Sequence, residues 1–230
     1  MDWDVRVKDI LKDYARSSNA LLNSPSGSTT SFDSLPLDSG ALSSPYGVGW
    51  DVLWLGHCGM DFETSGARVI HVNDATVPET QYLHSWDVKA ETSLARYPNH
   101  TRVAMPLSEG VCSLAYAVSQ KGARSILNSI GLEKLDAAFD IMLRHFCVGG
   151  NGRQAHRCSG VLPQIFDHHR RKGTSSGDSD IADHGDAVRE KAETLNIRWS
   201  VRMNMDRRLR GETTYDDQYS DTSTAHAQML

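Results

Sequence analysis

The stretch 111–131, VCSLAYAVSQKGARSILNSIG, changes period partway along its length. Through Val118 it reads as a β-type run. Ser119 then stands where a helix N-cap belongs, Ala123, Ile126, Leu127 and Ile130 recur at helical spacing, and Gly131 is placed to terminate the helix. A strand, a tight turn and a helix with no slack between them indicate an α/β architecture.

Working outward, WDVLWLG at 50–56 is a compact apolar run ending in Gly56, as expected of a buried strand feeding a loop, and ARVIHV at 67–72 reads as a second strand. LEKLDAAFDIMLRHFC at 132–147 sets Leu132, Leu135, Phe139, Met142, Leu143 and Phe146 at core spacing, which predicts a helix. NIRWSVRM alternates Ile197, Trp199 and Val201 against Arg198, Ser200 and Arg202, predicting a half-exposed strand with Trp199 in the core. Upstream, residues 1–22 hold an amphipathic helix, and 23–48, rich in Ser, Gly, Pro and Asp, is expected to be a flexible loop. Residues 49–205 carry the main α/β part. The tail 206–230 has almost nothing to bury and is expected to be disordered.

A chain of 230 residues with a net charge of −5 is long enough for one sizeable core and lacks the basic field that binds nucleic acid non-specifically. No apolar run approaches the length of a membrane span. Cys58, Cys112, Cys147 and Cys158 have no C-x-x-C spacing, so neither a zinc ribbon nor a thioredoxin-type site is indicated. They read as buried free thiols. In a secreted or lumenal chain Cys147 and Cys158 could instead close a short loop.

Several segments together resemble glycosyltransferase family 25, the family of lipopolysaccharide and collagen galactosyltransferases, and its fungal members above all. They are DWDVRVKDIL at the start, WDVLWLGHCG at 50–59, AYAVSQKGARSIL at 115–127, LDAAFDIMLRHFC at 135–147 and VLPQIFDHHRRKGTSSGDSDI at 161–181. The resemblance spans about residues 2–205, and the joint agreement of several motifs is far more specific than any one of them. It implies a GT-A-like nucleotide-sugar transferase fold. The implied reaction moves a hexose, galactose first, from a UDP-sugar donor to a hydroxyl of a glycan or glycoprotein acceptor, with Mn2+ or a similar ion and in the endomembrane lumen. It also implies that the Glu-Asp-Asp cluster of the family falls immediately before Asp2, so that the N-terminal strands of the fold are not in this chain.

The site residues follow from that comparison. Asp2 and Asp4 are the carboxylates nearest the expected metal cluster, although at a helix start they also suit capping and dipole roles. Asp140 matches an acidic family position, and an inverting transfer needs a base for the acceptor hydroxyl. The other reading is a solvated helix Asp partnered by Arg144. His57 follows a strand, where α/β enzymes place ligand loops, or else bonds the loop backbone. Tyr116 and Ser119 flank the strand–helix turn, where Gly122 permits close packing. Arg170, in DHHRRK, could meet a diphosphate, and Ser179 and Asp180 match a family motif beside the active site. A non-catalytic glycan- or protein-binding remnant is the alternative to a working enzyme.

Overall fold

The computed structural model describes residues 1–36, 46–60, 66–84, 94–178 and 185–222. The largest sheet has six strands: β2 (Thr29–Ser31), β3 (Val52–Gly56), β4 (Arg68–His71), β5 (Arg102–Pro106), β6 (Ala115–Val118) and β7 (Cys158–Leu162). Their order across the sheet is β2-β4-β5-β7-β3-β6, with β2–β4 and β3–β7 parallel and the remaining pairs antiparallel. The architecture is mixed α/β.

Helix α1 (Val7–Leu21) covers one face, where Ile10, Tyr14 and Leu21 meet Leu53, Leu55, Val69, Ala104 and Val161. On the other face Met142, Leu143 and Phe146 of α3 (Phe139–Val148) pack with Val52, Trp54, Val103, Met105 and Leu162. The period of two in β3 thus serves two cores, and all five of its residues are buried. A strand covered on both sides reads as a continuous apolar run, which is why DVLWLG was legible.

Helix α2 (Gln120–Ile126) begins as the sequence predicts: the Ser119 side chain accepts from the Gly122 amide at 2.9 Å. Gly122 has no room for a side chain, because a Cβ there would lie 2.2 Å from the Asp51 carbonyl oxygen. Gly131 does not stop the helix. The chain continues as a π-helical turn, Leu127–Glu133, and α3 starts only at Phe139. Leu132 and Leu135, expected in the core, are 74% and 78% exposed as a result, and Phe139, expected there too, is exposed at the start of α3.

Three further expectations are corrected. The segment 23–48 is not simply a flexible loop: it supplies edge strand β2, then Phe32, which is buried, stacks on His71 at 4.0 Å and lies under the Arg16 guanidinium at 4.4 Å. Residues 37–45 lie outside the described residues. The tail is ordered through Thr222. A short helix α4 (Met205–Leu209) is followed by a segment held by polar bonds rather than burial, with Asn204 reaching the Asp216 backbone, Arg198 the Asp217 carboxylate and Thr222 Glu79. Residues 223–230 lie outside the described residues. Third, NIRWSVRM forms no strand beyond a single bridge from Ser200 to Asp4, and Trp199 is half-buried rather than in the core, with the guanidiniums of Arg6 (3.8 Å) and Arg198 (4.6 Å) against its ring.

The cysteines are not free thiols. Cys58 pairs with Cys112 and Cys147 with Cys158. Among the described residues no helix is long and apolar enough to cross a membrane.

Candidate functional site

Strands β3 and β7 are parallel, so their carboxyl ends open on the same side of the sheet, where loops of α/β proteins gather ligands. Gly56 ends β3 without a side chain because a Cβ would sit 2.8 Å from the Phe166 carbonyl oxygen. That contact brings β8 (Phe166–Asp167) against the β3 exit, and β8 pairs with β1 (Asp2–Trp3) so that Asp2 lies opposite Asp167.

His57 follows Gly56 and is 1% exposed. Its Nε2 lies 2.9 Å from the Val161 carbonyl, which can only accept, so the proton is on Nε2. Burial drives its pKa down to about 4 despite that bond. His57 is therefore a neutral structural residue joining β3 to β7, bonded to a strand carbonyl rather than to the loop backbone. Cys58 beside it is bonded to Cys112, and Cys58 N–H donates to Val111 O at 2.9 Å, stapling the β3 exit loop to the segment that enters β6.

Asp140 stands in the first turn of α3 and is half-buried. Its Oδ2 accepts from the Cys112 amide at 2.9 Å and its Oδ1 from the Ile141 amide at 2.9 Å, so it grips the stapled loop and not Arg144. Beside it the Tyr116 and Phe139 rings lie 5.7 Å apart and remain 39% and 37% exposed. The fold has thus set Tyr116 against Phe139, the residue before Asp140 in the chain, in an open aromatic surface. Ser119 is an N-cap on the wall of a separate cleft of about 670 Å3 lined by Leu11, Tyr14, Tyr46, Trp50 and Val118.

Asp2 and Asp4 do not fit the metal role. Asp2 is fully buried: Oδ1 accepts from the Trp3 and Arg202 amides at 2.9 and 3.2 Å, and Oδ2 from the Thr194 hydroxyl at 2.6 Å and from the Ser200 hydroxyl. A carboxylate offers about four lone-pair positions, and these donors occupy them. Asp4 is 1% exposed, with Oδ1 on the Arg6 amide at 2.8 Å and Oδ2 facing the Trp199 amide at 3.3 Å. Burial raises its pKa, the two backbone bonds opposing. Both acids tie the chain start to residues near 200. Neither acid is open to a metal ion in this arrangement.

Arg170 is also engaged. Its Nη1 donates to Asp178 O at 3.1 Å and lies 3.8 Å from the Asp178 carboxylate, which Arg189 also contacts, so it clamps its own loop instead of facing a diphosphate. Ser179 and Asp180 fall outside the described residues.

Two groupings escaped sequence reasoning. Asp167 is buried, accepts from Gln164 (2.6 Å) and Asn196 (3.0 Å), and is pushed up by burial to about 6 against those bonds. Asp167 opens the DHHRRK run that charge marks in the sequence, but its burial and its contact with Asn196, 29 positions on, are visible only in the fold. Glu79, His100 and Asp221 could offer ligand atoms within 4.8 Å of one another, from three segments no motif connects.

Comparison of the chain with protein-family models, with curated proteins and with solved structures gives no match.

Proposed function

We propose that the chain is a glycosyltransferase of the family 25 type, with a GT-A-like arrangement, acting on a UDP-hexose donor, UDP-galactose first, and a hydroxyl of a glycan or glycoprotein. The observation that carries this reading is the set of resembling segments in matching order; in the fold, three of them supply β3, the β6–α2 turn and α3, and so surround Asp140 and Tyr116. In this reading the acceptor sugar stacks on the Tyr116–Phe139 surface, as flat apolar sugar faces do on aromatic rings. The Asp140 carboxylate takes the acceptor hydroxyl proton as that oxygen bonds to the anomeric carbon and the bond to the diphosphate breaks. Asp2, Asp4 and Arg170 have no part in it. Two disulfides support an oxidising compartment such as the endomembrane lumen.

A second reading is favoured by one observation. The acids nearest the expected donor site are buried and engaged by protein donors, which suits a module that binds glycan or protein through the aromatic surface and turns over nothing.

Calorimetry of the whole chain with UDP, with and without Mn2+, combined with a transfer assay, separates the two. UDP binding, with transfer abolished in Asp140→Asn while UDP binding is retained, is the expected result, and the arm with Mn2+ reads whether an ion takes part. Absence of UDP binding by a folded sample refutes transfer by this chain and leaves the binding module.

A further inference from the structure

Arg153 lies in the loop that the Cys147–Cys158 disulfide closes, a span of 11 residues. Its side chain is only 4% exposed. Nη2 donates to the Lys134 carbonyl at 2.5 Å and to Asp136 Oδ1 at 3.3 Å, but Nε and Nη1 are buried with no hydrogen-bond partner among the described residues. Arg102, equally buried, shows what a satisfied guanidinium looks like here: Nε on Asp74 at 2.7 Å, Nη1 on the Pro163 carbonyl at 2.7 Å and Nη2 on the Thr76 hydroxyl at 2.9 Å. Buried cationic donors without acceptors are costly, so unmet Arg153 nitrogens call for an oxygen that the described residues do not provide.

Arg153 forms part of the wall of a cleft of about 510 Å3 between α2 with its π-helical turn and the disulfide-closed loop. Its other walls include Arg124, Ser125, Asn128, Gln154 and His156, a polar set unlike the apolar cleft under α1. The His156 ring is fixed by stacking on Phe146 at 3.6 Å. Its Nδ1 faces the Phe146 and Gln154 carbonyls at 3.0 and 2.9 Å, so Nδ1 carries the proton. Among the lining residues the guanidiniums of Arg124 and Arg153 stand against the one carboxylate of Glu133, while Lys134 and Asp136 pair with each other beside Arg153. Glu133 is itself held by Asn128 at 2.6 Å.

We infer that this cleft binds a tetrahedral oxyanion, a phosphate or sulfate ester, carried on a hydroxyl-rich molecule the size of a sugar. Arg153 and Arg124 meet the ester oxygens, for which the planar guanidinium fork is suited. Ser125, Asn128 and Gln154 supply the mixed donors and acceptors that hydroxyls need, and the volume exceeds that of the anion alone. The site is independent of the Asp140 surface and of nucleotide binding.

The test is calorimetry of the whole chain, without nucleotide, using inorganic phosphate, inorganic sulfate, a hexose 6-phosphate, the same hexose 6-sulfate and the uncharged hexose. The expected result is saturable binding of the phosphorylated or sulfated hexose, the stronger arm identifying the ester, with the uncharged sugar weaker by about tenfold or more, as expected for charge-assisted hydrogen bonds. Arg153→Gln weakens it by a similar factor. Because Arg153 also holds Lys134 and Asp136, Arg124→Gln, at an exposed position, is the companion variant and weakens binding several-fold with the fold unchanged. No saturable binding of any probe, which would leave only water on Arg153, or unchanged affinity in Arg124→Gln, overturns the inference.

Discussion

The Cys58–Cys112 link joins residues 54 positions apart, and the Cys147–Cys158 link residues 11 apart. If a disulfide stabilises by restricting the unfolded chain, its worth grows with the logarithm of the loop it closes: about 4 kcal/mol for the longer loop and about 3 kcal/mol for the shorter. The loops do not overlap in sequence, so the two contributions add to about 7 kcal/mol, comparable with the whole stability of an ordinary domain. Removing the longer link by Cys58→Ser with Cys112→Ser is therefore expected to cost more than Cys147→Ser with Cys158→Ser, and the quadruple variant is expected to be largely unfolded. Reversible urea unfolding at neutral pH gives the free energies directly. The longer link has a local signature too, because the Cys112 amide donates to Asp140. In the Cys58/Cys112 variant that amide is expected to exchange faster with solvent, while amides in the middle of β5 and β7 follow global stability alone. A larger loss from breaking the shorter link refutes the chain-entropy reasoning, and titratable thiols in the folded oxidised protein refute the pairing itself.

The His57 prediction concerns pH: its pKa is about 4 in the fold against 6.5 unfolded, so its contribution is fully present above 6.5 and falls away as pH drops towards 4, by about 3 kcal/mol in all. His57→Gln is expected to flatten the acid limb of stability over that window, and an unchanged limb refutes the buried neutral imidazole. Asp167 has the opposite sign: raised from 3.8 to about 6, it stabilises below 3.8 and loses that contribution as pH rises through 6, so Asp167→Asn is expected to remove a decline in stability between those values. Burial alone would raise Asp74, yet Arg102 and Thr76 outweigh it and hold it at about 2. Arg102→Met strands that carboxylate and is expected to cost about 3–5 kcal/mol by urea unfolding at pH 7. Gly122→Ala drives a methyl against the Asp51 carbonyl and is expected to cost about 1–3 kcal/mol, measured as a loss of Tm and of denaturation midpoint.

What the sequence determined by itself was local or periodic. The buried strand β3, the switch from β6 to α2 with its Ser119 cap and Gly122 contact, and the core face of α3 all follow from short-range patterns, because alternation, capping and helical spacing are fixed within a few residues. Periodicity failed where polar bonds replaced burial. The tail through Thr222, with little apolar surface, is held by side-chain bonds to residues distant in the chain that no composition reveals. Leu132 and Leu135 sit at helical spacing, but Leu132 falls at the end of the π-helical turn and Leu135 in the gap before α3, so neither faces the core.

The site divides in the same way. Asp140 and Tyr116 were named from the sequence, but that Tyr116 packs beside Phe139, the chain neighbour of Asp140, and that the Cys112 amide is clamped on Asp140, are properties of the fold alone. Asp2 and Asp4 look exposed at the start of a chain and are in fact among its most buried groups, because β1 lies between β8 and the segment near Ser200. Disulfide pairing, the protonation of His57 and Asp167, and the unmet donors of Arg153 were likewise decided by tertiary structure. Each depends on the distance and burial between groups far apart in sequence, and electrostatic and hydrogen-bond energies are set by that geometry rather than by residue type.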